Sequence, residues 1–276
     1  SEAEPLFEKS LEIRKKVMGS EHPDTLTSIN NLAFFYQIRS EYNRAEPLNK
    51  EALEISKKVL GREHHLTITL ANNLAGLLSR KGRYEEAKLL FKETLEINQK
   101  IKGADHPDTA MSLNNLAGMY YMQGKIEESK QLFEKALGIR EKILGSDHPL
   151  TVLTINNLGG IFYMTGKYDL AEIMFKKVLE TKEKTHGTDH YETASILNNL
   201  ASLYKIQGRY SEAEPLFRKA LEINQKKFGE DHSSVALCLG GLAGFLIQTG
   251  KYEEAEPLQK RALNIYKKLV GPDHHS

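Results

Sequence analysis

Between residues 24 and 39 the apolar positions Ile29, Leu32, Ala33 and Tyr36 fall at i, i+3, i+4 and i+7. That spacing gives a helix one buried stripe, and it predicts a first helix, A, over about 24–39. A turn at Ser40 separates it from a second helix, B, over about Tyr42 to Leu60, whose stripe includes Ala45, Leu48, Ala52, Leu53 and Val59. The pair then repeats. Asn-Asn-Leu recurs at Asn30, Asn72, Asn114, Asn156 and Asn198, in steps of 42 residues without insertion, and the same step carries His22 through His64, His106, His148, His190 and His232 to His274. Gly82, Gly124, Gly166, Gly208 and Gly250 take the place of Ser40, where a glycine supplies the left-handed conformation that stops a helix. Gly61 and its equivalents end helix B, and Pro23, Pro107 and Pro149 open helix A, where the missing N–H of a first turn costs nothing.

A lone helix pair cannot cover both of its stripes, so each must bury its outer face on the next. The expected fold is all-α, a right-handed superhelical solenoid of antiparallel helix pairs. Its expected layout is a helix B remnant over 1–18 followed by six repeats at about 19–60, 61–102, 103–144, 145–186, 187–228 and 229–270. Because the chain opens inside a helix B, the sequence reads as a fragment of a longer protein. The apolar faces at its ends are expected to favour end-to-end association.

Composition narrows the functions. The chain of 276 residues has 38 Lys plus Arg against 37 Asp plus Glu, so no overall field draws in nucleic acid or an anionic membrane. No apolar run approaches the length of a membrane span. A single cysteine, Cys238, excludes a disulfide framework and fits a reducing, cytoplasmic setting; on a helix A it reads as a small buried hydrophobe.

Leu32-Ala33 in helix A, Gly82 and its equivalents, Tyr84, and Ala87, Phe91 and Leu95 in helix B resemble a tetratricopeptide repeat. The usual unit is about 34 residues; a 42-residue unit with "LNNLA", "YEEA", "LEI" and "G-x-[DE]-H-P" is similar to the kinesin light chain type. That resemblance implies an adaptor or scaffold that binds a short acidic segment around an aromatic residue. Repeats of this type also resemble those of nephrocystin-like proteins and the sensor arms of signalling ATPases, so a ligand-sensing or spacer arm without a peptide groove is the alternative. The last repeat departs from the pattern: Gly240-Gly241 replaces Asn-Asn, and "DHSSV" replaces "DHPDT".

The polar residues divide by position. Metal ligands must lie about 2 Å from one ion, whereas equivalent residues of successive repeats stand about 8–10 Å apart, so one histidine per repeat reads as structural. His64-His65 and His274-His275 are adjacent pairs that point apart and make weak metal candidates. No phosphate loop, HExxH or nucleophile elbow is present, so no catalytic residue, metal or cofactor is expected. The first asparagines, Asn30, Asn72, Asn114, Asn156 and Asn198, share a band of helix A beside the buried stripe, and the resemblance to the tetratricopeptide repeat implies that the second of each pair, Asn31 and its equivalents, belongs to the repeat's own framework. An amide both donates and accepts, so a row of first asparagines is expected to hold an extended backbone; the alternative is a row of solvated side chains retained by repeat duplication. About 10 Å between repeats and about 3.3 Å per extended residue give one asparagine per three peptide residues. Among the band's 30 positions only Arg80 and Lys205 are charged, where the chain's 27% charged content would give about eight. Tyr121, Tyr163, Met122 and Met164 add adaptable apolar surface in the middle repeats. The expected partner is therefore a protein or peptide with an aromatic or aliphatic anchor and acidic character, with no nucleic acid and no membrane insertion.

Overall fold

The structure is a computed structural model that describes residues 3–270; His274 and His275 lie outside the described residues. These residues form thirteen α-helices and no strand. After α1 (Ala3–Met18) come the pairs α2 (Pro23–Ile38) with α3 (Tyr42–Val59), α4 (His65–Arg80) with α5 (Tyr84–Lys102), and α6 (Pro107–Met122) with α7 (Ile126–Leu144). Then follow α8 (Pro149–Met164) with α9 (Tyr168–His186), α10 (Tyr191–Ile206) with α11 (Tyr210–Phe228), and α12 (Ser233–Gln248) with α13 (Tyr252–Val270). The chain divides into two compact units between Gly145 and Ser146. Within each unit every helix packs on the one before it, and alternate A helices also touch, α2 on α4 and α4 on α6 in the first unit and α10 on α12 in the second.

Local chemistry explains the helix ends. At the start of every A helix a histidine is the N-cap, and the ring Nδ1 of His22, His64, His106, His148, His190 and His232 accepts the N–H two residues on at 3.1–3.3 Å. An otherwise unpaired amide of the first turn is thereby satisfied. The histidines are thus capping groups, and no cluster of three or more metal-ligating side chains occurs among the described residues. Thr25, Thr109 and Thr193 tie the loop to the new helix by donating to Gly19, Gly103 and Gly187 carbonyls at 2.7–3.1 Å. Between the helices of a pair, Gly82 takes φ +75° and Ser40 takes φ +60°, the one non-glycine residue with positive φ among the described residues.

The stripe of helix A is buried as expected: Ile29, Leu32, Ala33 and Tyr36 are 0–5% exposed. Helix B differs at its end. Ala45, Ala52 and Leu53 are buried and Leu48 is half-buried, but Val59, the last residue of α3, is 43% exposed. Cys238 is buried and accepts from Asn224 Nδ2 at 3.2 Å; burial pushes its thiol pKa up.

Each unit carries an ion cluster between successive repeats. In the first, Glu46 of α3 meets Lys50, Lys81 and Arg83 at 2.5–2.7 Å. Bonds from Lys50, Lys81 and Arg83 outweigh burial and lower its pKa to about 2. In the second, Glu172 of α9, three repeats on, meets Arg209 and Lys176 at 2.6 and 2.7 Å and accepts from Tyr204 at 3.1 Å. Arg209, Lys176 and Tyr204 bring its pKa to about 2 against the opposing effect of burial.

Candidate functional site

Turning the buried stripe of helix A onto its own helix B leaves the neighbouring band of each A helix uncovered. In the first unit the bands of α2, α4 and α6 line an open groove of about 520 Å³, walled by Phe34, Gln37, Asn72, Asn73, Gly76, Ser79, Arg80, Asn114, Asn115, Gly118, Met119 and Met122, with Phe91 of α5 beneath. Arg80 is the single charged residue of this lining, and no acidic residue takes part. Large exposed apolar side chains gather on the same band: Phe34, Ile38, Met111, Tyr121 and Met122 are 38–70% exposed.

The groove glycines are open by choice of residue, not by packing. A Cβ added to Gly76 or Gly118 would find nothing within 4 Å. Glycine inside a helix costs about 1 kcal/mol relative to alanine, so these positions forgo stability that the fold itself would permit. Gly241, in the second unit, is the opposite case, since its Cβ would lie 2.9 Å from Asn198 Oδ1 and 3.0 Å from the Phe217 ring.

The asparagine row differs from the expected ladder. All five first asparagines are half-buried, and their oxygens face protein. Asn30 Oδ1 accepts from Asn73 Nδ2 at 2.7 Å, Asn72 Oδ1 from Thr94 at 3.1 Å, and Asn114 Oδ1 from Arg140 at 3.4 Å. Asn72 Nδ2 returns to the Ile68 carbonyl of its own helix at 3.0 Å. In the second unit the oxygens of Asn156 and Asn198 are buried without a hydrogen bond. The acceptor ends that such a ladder would use are thus bonded by donors on other helices at Asn30, Asn72 and Asn114 and buried at Asn156 and Asn198. Of the second asparagines, which the tetratricopeptide resemblance assigns to the framework, Asn73 does both jobs. Asn73 bonds Asn30, and Asn73 and Asn115 also line the groove. Neighbours on a helix are about 100° apart, so a groove wide enough to hold a chain is flanked by both residues of the doublet; the doublet itself was the signal.

In the second unit the same band carries Leu153, Met164, Ile206, Leu237 and Ile247, each 40–59% exposed. Tyr163 is half-buried beside Tyr168, ring centroids 6.3 Å apart, and its phenol pKa is raised by burial and then by Tyr168. Lys205 Nζ stands 3.8 Å from where a Cβ of Gly244 would be. Tyr121 and Met122 thus belong to the first unit and Tyr163 and Met164 to the second.

Comparison with known proteins settles what kind of array this is. A tetratricopeptide repeat model matches residues 24–100, 90–142, 108–184 and 151–226, and a second tetratricopeptide repeat model matches 1–24 and 235–276. The chain belongs to the tetratricopeptide repeat family. No curated protein sequence matches it. Among solved structures, the nearly identical TPR-like repeats of a putative kinesin light chain from Podosopora anserina are 25% identical, cover 73% of this chain and 95% of that one, and superpose with a TM-score of 0.61. BtubC (BKLC) from P. vanneervenii is 23% identical, with 86% and 93% of the two chains covered and a TM-score of 0.67. A Rap protein complexed with competence and sporulation factor is 18% identical, covering 97% of this chain and 70% of that one at a TM-score of 0.70. The chain's tetratricopeptide array is a protein–protein interaction scaffold, similar in its repeats to the kinesin light chain structures. No helix among the described residues is long and apolar enough to cross a membrane.

Proposed function

We propose that the first unit binds an extended segment of a protein partner along the groove formed by α2, α4 and α6. The observation that carries this reading is the pairing of empty space over Gly76 and Gly118 with a lining whose one charge is Arg80. A peptide backbone fits where side chains have been withdrawn, and a lone guanidinium among uncharged groups selects a carboxylate, from an acidic side chain or a chain end. Phe34, Met122 and Tyr121 supply the apolar surface for an aromatic or aliphatic anchor. The amide groups of the asparagine doublets contribute chiefly as donors toward peptide carbonyls, the oxygens of Asn30, Asn72 and Asn114 being hydrogen-bonded within the protein. Lys205, Tyr163 and Met164 offer a comparable charge and anchor on the band of the second unit. The likeness to kinesin light chain repeats points to the same acidic, aromatic-containing class of segment, and hence to an adaptor.

The test is a fluorescence-anisotropy screen of a labelled decapeptide library, acidic with one aromatic residue, against the whole chain. Binding is expected to weaken at least tenfold with Arg80→Glu and to vanish with Gly118→Trp, which fills the space over α6 without touching the core. Binding indifferent to both would remove the groove from the account and favour a spacer or sensor arm.

A further inference from the structure

Asn49 breaks the pattern of its own repeat. At this place in helix B the chain has Phe7, Phe91, Phe133, Phe175 and Phe217, with Gln259 in the last repeat. Asn49 is completely buried, and neither its Nδ2 nor its Oδ1 makes a hydrogen bond. Each buried polar group left in this state costs about 1–3 kcal/mol, whereas a phenylalanine would cost nothing of the kind.

The internal repeat shows where Asn49 points. Four repeats on, its equivalent Phe217 stands beside Asn198 Oδ1 and the Cβ position of Gly241; these correspond to Asn30 and Asn73. One repeat on, the same three places are Asn72, Phe91 and Asn115, and all three line the groove. By repeat equivalence Asn30, Asn49 and Asn73 hold the corresponding places on α2, α3 and α4, at the α2–α4 end of that groove; Asn73 is bonded to Asn30 at 2.7 Å, and Asn49 is unused.

We propose that Asn49, flanked by Asn30 and Asn73, is a subsite in the groove floor that takes a side-chain carboxamide, glutamine above all, from the bound segment. The inference rests on the peptide-groove reading and specifies it. A primary amide offers one donor and one acceptor side by side, and its best complement is another carboxamide, which returns both bonds at once. A carboxylate gives the Asn49 oxygen nothing to accept, and a methylene chain leaves both ends bare. Entry displaces the Asn73–Asn30 bond, a neutral side-chain bond of small net worth.

The test uses the whole chain and the decapeptides that bind in the library screen, with glutamine, glutamate and methionine, near-isosteres, placed at each position in turn. At one position glutamine is expected to bind at least tenfold tighter than both others. Asn49→Phe, which restores the residue of the other repeats, is expected to abolish that preference, leave the remaining positions unchanged and raise Tm; Asn49→Leu serves if circular dichroism shows that the phenylalanine variant misfolds. The subsite is overturned if no position prefers glutamine, or if the preference survives both substitutions. Failure of the groove itself is read separately: Gly118→Trp then leaves all binding intact, whereas failure of the subsite alone leaves binding sensitive to Gly118→Trp but blind to the glutamine.

Discussion

The two units carry the same asparagine and give it different company. In the first, Asn30, Asn72 and Asn114 all have their oxygens hydrogen-bonded, by Asn73, Thr94 and Arg140 respectively. In the second, the oxygens of Asn156 and Asn198 are buried and bonded to nothing. The cause is visible in the partner positions. Where Asn73 supplies an amide to Asn30, the equivalent residue next to Asn198 is Gly241, which has no side chain to give. Thr94 likewise occupies a place held elsewhere by Ala52, Ala136, Val178 and Ala220. A repeat thus fixes where a side chain sits, while its hydrogen-bond partners are set repeat by repeat by single substitutions on adjoining helices.

That contrast lies on top of cores that should behave alike. Leu116, in α6 of the first unit, and Leu158, in α8 of the second, are 3% and 1% exposed. Leu116→Ala and Leu158→Ala are each expected to cost about 2–5 kcal/mol by denaturant melts, from lost burial plus the cavity left behind. A loss under about 1 kcal/mol in either unit would misplace its buried stripe.

The ion clusters should also match. Glu46 and Glu172 have pKa values of about 2 against an ordinary 4.5. A carboxylate with a depressed folded-state pKa stabilises the protein fully above its unfolded value, and the contribution is lost as pH falls from about 4.5 to 2. Glu46→Gln and Glu172→Gln are expected to cost about 1–2 kcal/mol each at pH 7 and to flatten the stability profile through that acid window. An unchanged profile would show the clusters to be solvent-screened.

The asparagines should part company. Asn30→Ala removes a satisfied acceptor and strands Asn73, and is expected to cost about 1 kcal/mol; Asn198→Ala removes a buried, unpaired oxygen and is expected to be neutral or slightly stabilising. Equal losses would mean that the second unit satisfies Asn198 after all. Smallest of all, Gly118→Ala is expected to stabilise the first unit by up to about 1 kcal/mol, since a Cβ there meets nothing within 4 Å, while weakening peptide binding. A destabilised Gly118→Ala would mean that packing, not a ligand, keeps the site bare.

Much of the fold was legible because a 42-residue comb registers the same helix pair again and again, so Ile29, Leu32, Ala33 and Tyr36 could be placed in the core from spacing alone. The division between Gly145 and Ser146 was not, since no change of composition marks it. At the groove, the band and Arg80 follow from helix periodicity. The engagement of the Asn30, Asn72 and Asn114 oxygens does not, because it depends on side chains up to 43 residues away in sequence. Asn49 was within reach of the sequence as the one asparagine in a column of phenylalanines, but its meaning required seeing that both ends of a wholly buried amide go unused.

The central claim is that the glycine-floored face of α4 and α6 is a seat for another chain. Titrating the tightest acidic, aromatic-containing decapeptide into the wild-type protein and into Gly118→Trp, with Tm measured on both, tests it most directly. The account predicts saturable one-to-one binding that disappears in the variant while Tm holds. No binding by any library member, or an identical Kd in the two proteins, would contradict it.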